Sequence, residues 1–111
     1  VYTDDIRGEW SDPIVVDQDG IDPSLFFEDG RCYFISNGTD EDGKGGIVQC
    51  EIDIATGRKL SSSKMIWKGS GGRYLESPHM YHINGHYYLV AAEGGTEYGL
   101  VGSEMCIRDR W

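Results

Sequence analysis

The sequence is poor in basic charge. Ten Lys and Arg stand against 19 Asp and Glu, a formal net charge of −9. No basic patch is present to neutralise phosphates, which argues against nucleic acid or an anionic membrane as partner and for a neutral or weakly charged substrate. Long apolar runs are also missing. Nothing approaches the roughly 18 residues of a membrane span, and no charged-then-apolar leader opens the chain. The chain starts at Val1 without an initiating Met, so the protein's own N-terminus is expected upstream, and localisation stays open between secreted, periplasmic and cytoplasmic. Cys32, Cys50 and Cys106 are an odd number with no C-x-x-C pair. That spacing indicates neither a zinc site nor a disulfide framework; two buried strand cysteines and a third near the end are expected. No amphipathic helix of any length can be traced, which leaves an all-β chain.

What the sequence does contain is a repeat. The run from Ile21 to Ser36 lies without a gap on the run from Glu76 to Ala91 when shifted by 55 residues. Pro23 then falls on Pro78, Leu25 on Met80, Phe26 on Tyr81, Gly30 on Gly85, Tyr33 on Tyr88 and Ile35 on Val90. Asp29-Gly30 and Asn84-Gly85 tolerate the positive φ angles of a type I′ turn, and both are flanked by aromatic and β-branched residues, so each copy predicts a hairpin. A period of about 50 residues built on hairpins predicts a β-propeller, whose blades bury their faces against one another. Just before the hairpins stand Asp22 in one copy and Glu76 in the other. Such points converge near a propeller's axis, and two carboxylates facing one pocket are the equipment of general acid catalysis, glycoside hydrolysis in particular.

In chain order, residues 1–19 are expected to form the outer edge of a preceding blade, with Ser11-Asp12-Pro13 opening a strand at Ile14-Val15-Val16. One complete four-stranded blade follows: Leu25–Phe27, Arg31–Ser36, Gly46–Ile52 and Lys64–Lys68, with residues 37–45 as a polar loop. Lys at both ends marks the fourth strand as an edge. Gly69-Ser70-Gly71-Gly72 crosses to the next blade, whose first hairpin runs to Ala92. Propellers close from at least four blades, so the expected architecture is a fragment, one blade plus parts of its two neighbours, over residues 1–99. Residues 100–111 alternate poorly and resemble a translated sequencing adapter; they are expected to be a non-native tail.

Gly20-Ile21-Asp22-Pro23-Ser24-Leu25-Phe26-Phe27 and Glu76-Ser77-Pro78-His79-Met80-Tyr81, the latter continuing through Tyr87-Tyr88-Leu89 to Ala92-Glu93-Gly94-Gly95-Thr96, resemble glycoside hydrolase family 43. The resemblance covers residues 8–99, and both motifs stand in order at one-blade spacing. It implies a five-bladed propeller and an inverting enzyme acting on xylose- or arabinose-containing oligosaccharides or polysaccharides. It further implies that Glu76 is the general acid, that Asp22 orients the acid and raises its pKa by like-charge proximity, and that a third carboxylate, the base, comes from the blade before Asp22. One period back from Asp22 passes beyond Val1, so this chain by itself is expected to lack the base and to be inactive and poorly stable. An inverting site holds acid and base about 6.5–9.5 Å apart around a water. No cofactor is implied beyond a structural calcium ion found in some relatives.

Each of these residues also has a plainer reading. A lone Asp before Pro is usually a turn residue, and a lone Glu before Ser-Pro is usually a solvated loop charge; matched placement in two repeats raises both. His79, His82 and His86 do not make a metal site, because positions 79 and 82 point to opposite faces of a strand and 86 lies across the turn. His79 is instead a candidate for contact with substrate, with Arg73 and Glu93 as candidates for the pocket rim. Phe26, Phe27, Tyr33, Tyr81, Tyr87 and Tyr88 read mostly as core between blades. The alternative from another class is a non-catalytic sugar-binding propeller. A sucrose- or fructan-cleaving propeller fits less well, since its N-D-P-N opening is absent.

Overall fold

The computed structural model describes residues 1–94 and, for the backbone only, Ser103–Arg108. It holds seven strands in two antiparallel sheets and, among the described residues, no helix. The first sheet is β1 (Ile21–Glu28), β2 (Arg31–Thr39), β3 (Gly45–Ile52) and β4 (Lys64–Trp67), in sequence order. β5 (Glu76–Ile83), β6 (His86–Ala92) and β7 (Ser103–Arg108) form the second.

The hairpins arise where the turn chemistry demands them. Asp29 and Gly30 have φ of 49° and 74°, Asn84 and Gly85 have 51° and 78°; two successive positive values are the type I′ geometry that matches strand twist. Cross-strand register fixes which face each side chain takes. On β2 and β3, Cys32 pairs with Ile52 and Phe34 with Cys50. These form one face, packed with Val16. The other face turns Ile35 and Ile47, both fully buried, toward Leu75, Met80, Leu89 and Ala91 of the second sheet unit, with Phe26, Trp67 and Tyr87 around them. Each of those two isoleucines stabilises the packing by roughly 1.5–3 kcal/mol. The core therefore lies between the sheets as well as within each of them. Cys32 and Cys50 are buried and free, and burial pushes both thiols above their usual pKa.

Several expectations are corrected. β1 starts at Ile21 and β2 runs on to Thr39, so the strands invade the predicted loops. Residues 1–20 contain no strand, because Ile14–Val16 is followed by Asp17-Gln18-Asp19-Gly20 and has no second run to pair with. Side chains fix that segment instead: Gln18 Nε2 donates to Ser36 Oγ (2.9 Å), and Ser63 Oγ donates to Gln18 Oε1 (3.0 Å). Phe27 and Tyr81 are 61% and 48% exposed in this chain, on strand faces turned away from the other sheet, where a further blade packs in a complete propeller. The backbone of β7 pairs with β6 from Tyr87↔Arg108 to Ala92↔Ser103, although its sequence alternates poorly.

Candidate active site

The first sheet meets the second along β1 and β5, and the candidate carboxylates stand at the starts of those strands. Both strands open with the same irregularity. The ladder slips between Ile21 and Ser24 in β1 and between Glu76 and His79 in β5. Within each slip one non-glycine residue takes a left-handed backbone, Asp22 at φ 53° and Ser77 at φ 52°. Bulges of this kind re-aim side chains and are common beside active sites.

Close backbone crossing holds the first of these bulges in place. Gly20 has φ 120°, and a Cβ there would lie 1.7 Å from the Asn37 carbonyl oxygen; on Gly38 it would lie 2.4 Å from that of Asp19. Only glycine permits this approach.

Asp22 is exposed, and its Oδ2 accepts from the Ser77 backbone N–H (3.1 Å) and from Ser77 Oγ (3.2 Å). Glu76, the adjoining residue, is half-buried and pairs with Ala92 across the ladder. Asn37 Nδ2 donates to the carbonyl of Leu75, on the other side of Glu76. Ser24 Oγ donates to the Pro78 carbonyl at 2.5 Å. The backbone around Glu76 is thus tied on both sides to the preceding sheet.

The remaining candidates fall in different places. His79 is exposed on β5, and Arg73 is exposed in the loop before it, its carbonyl accepting from Gly94 N–H at 2.8 Å. Glu93 does not stand on an open rim. It is 5% exposed, and its carboxylate accepts from Ser70 N–H at 2.8 Å and from Ser70 Oγ. Gly69 makes room for it, since a Cβ there would lie 2.1 Å from Glu93 Oε1. Glu93 therefore latches the crossover loop that leads into Glu76.

Two residues that sequence reasoning passed over belong to this neighbourhood. Asn37 carries no motif signal, because its role depends on Leu75, 38 residues away in the loop before β5. Tyr74, two positions before Glu76, is 53% exposed and holds φ at 56°. A bulky residue in that region is an outlier of the sort that gathers at functional sites.

At the opposite ends of these strands the sheets are joined by a second polar cluster. Glu28 accepts from Tyr87 OH at 2.5 Å and lies 2.5 Å from His82 Nδ1, while His82 and Tyr87 stack at 4.2 Å. The hydrogen bond to Glu28, then burial and the carboxylate's charge, push the Tyr87 phenol up to about 12. Among the described residues, no group of three or more His, Cys, Asp and Glu is arranged to hold a metal ion.

Successive antiparallel sheets packed face to face, each opening on a bulged strand with an acidic residue in it, are consecutive blades of a β-propeller. The sequence profile of glycosyl hydrolases family 43 matches residues 1–108, and the chain belongs to that family. It is 42% identical over 103 residues to a xylosidase/arabinosidase of Humicola insolens, covering 88% of this chain and 19% of that protein. A β-xylosidase of Bacillus subtilis is 38% identical over 103 residues, with the same shares. A non-reducing end α-L-arabinofuranosidase of Bacteroides ovatus is 40% identical over 91 residues, 82% of this chain and 16% of that one. Among solved structures, a xylan β-1,4-xylosidase of Bacillus halodurans C-125 superposes with a TM-score of 0.83 at 37% identity, over 96% of this chain and 21% of that one. The chain therefore spans about a fifth of the length of these relatives, a partial five-bladed propeller.

Proposed function

We propose that the full-length protein containing this chain is an inverting glycosidase that cleaves xylose- or arabinose-containing oligosaccharides and polysaccharides. Glu76 is the general acid, which protonates the departing glycosidic oxygen. Asp22 acts from the preceding blade by fixing the peptide that carries Glu76, and the base that activates water comes from residues outside this chain. The observation that carries this reading is the bond from Ser77 N–H to Asp22 Oδ2. It couples the two carboxylate positions across the blade boundary, so that the acid is placed by one blade and held by the next. Relatives named as xylosidases and arabinofuranosidases support the substrate class. His79 and Arg73, both exposed near Glu76, are assigned to substrate contact, while Glu93 serves the loop.

The test is proton NMR of the first sugar released by the full-length protein from a β-xyloside or an α-arabinofuranoside. Release of the anomer opposite to the substrate's is expected. Release with the same configuration overturns inversion. Tight sugar binding with no turnover overturns catalysis and leaves a sugar-binding propeller.

A further inference from the structure

We infer that Asn37 is a positioning residue for the proton donor, an inference that rests on the reading of Glu76 as general acid. Asn37 lies on β2, paired with Ile21 on one side and Ile47 on the other. Its side chain faces the second sheet, and Nδ2 donates to the carbonyl of Leu75, the residue immediately before Glu76. Leu75 is 7% exposed. A backbone carbonyl at such a site needs a protein partner, because a buried unpaired acceptor is costly.

The backbone of Asn37 is boxed in by the crossing with Gly20 described above, so the amide works from a rigid mount. Asn37 and Asp22 divide the task between them. One donates to the carbonyl ahead of Glu76, the other accepts from the N–H behind it. Backbone held at both flanking peptides leaves the Glu76 carboxyl only its own side-chain torsions to explore. Catalysis by a positioned group is sensitive to displacements of about 1 Å, so releasing one peptide weakens proton donation without touching substrate.

The experiment uses the full-length protein with aryl xylosides or arabinofuranosides of graded leaving-group acidity. Asn37→Ala is expected to lower kcat on the phenyl glycoside by about tenfold to hundredfold, within the range a general acid supplies, and on the 2,4-dinitrophenyl glycoside by less than about threefold. In a Glu76→Gln background the same change is expected to cost nothing further on the phenyl substrate, since residues acting through one another are not additive. Equal loss on both substrates, or an undiminished loss in the Glu76→Gln background, overturns the inference and leaves Asn37 a packing residue. If Asn37→Ala does not fold, Asn37→Leu keeps the branched shape, removes the donor without adding charge and is read the same way. Failure of the underlying reading shows separately: Glu76→Gln alone then loses equally on both substrates.

Discussion

Asp22 and Ser77 share one backbone conformation, φ 53° and 52°, a blade apart, and are hydrogen-bonded to each other. The repeat thus makes contact with itself. The structural equivalent of Asp22 is Ser77, and Glu76 stands where Ile21 stands in the first copy. The two carboxylates occupy neighbouring positions of one bulge motif, and the serine between them links one to the other.

That link predicts how Asp22 variants divide. Asp22→Gly keeps a backbone free to take positive φ but loses the acceptor; Asp22→Ala loses both. Loss of the acceptor costs about 1 kcal/mol of stability, and Asp22→Ala is expected to cost more, because a Cβ-bearing residue without a local polar partner is strained there. Both are expected to lower kcat of the full-length protein with little change in KM. Urea unfolding with steady-state kinetics checks this, and a change confined to KM contradicts the positioning role.

Glu93 is expected to act through the crossover loop. Glu93→Ala removes two hydrogen bonds to Ser70, a cost of about 1–3 kcal/mol for the pair. Glu93→Gln retains an oxygen for Ser70 and is expected to recover most of that loss. Thermal unfolding of the two variants makes the comparison. If Glu93→Ala leaves stability intact and weakens sugar binding alone, the residue belongs to the pocket rim after all.

The Glu28–Tyr87 bond predicts an alkaline limb in stability. The Tyr87 phenol is raised from 10.0 to about 12 by its bond to Glu28. A raised folded-state pKa means that the bond's contribution is complete below the unfolded value of 10.0 and is lost as pH rises through about 12. Tyr87→Phe removes the bond at every pH and is expected to flatten the alkaline fall in Tm. An unchanged fall in the variant assigns it to other groups.

Much of this was legible in the sequence because it rests on short-range rules. Asp29-Gly30 and Asn84-Gly85 specify their turns because strand-forming residues flank each on both sides, and the 55-residue repeat around them marks the two blades. Glu76 and Asp22 emerge because both stand just ahead of the repeat's proline, one position apart in the shared register. Less legible was whatever depends on partners distant in sequence. Asn37 looked like the start of a polar loop because Asn and Gly favour turns, yet pairing with β3 keeps it in a strand. Glu93 looked like a rim charge because charged residues are seldom buried; two Ser70 donors satisfy it. Phe27 and Tyr81 read from their spacing as core between blades, and register puts them on the faces turned away from the neighbouring sheet of this chain.

The most direct measurement is kcat for Glu76→Gln in the full-length protein across aryl glycosides of falling leaving-group acidity. The account predicts a loss of about 100-fold or more on the phenyl glycoside and near-normal turnover of the 2,4-dinitrophenyl glycoside, whose departure needs no proton. Equal loss on every substrate contradicts Glu76 as the proton donor, and with it the role assigned to the blade boundary.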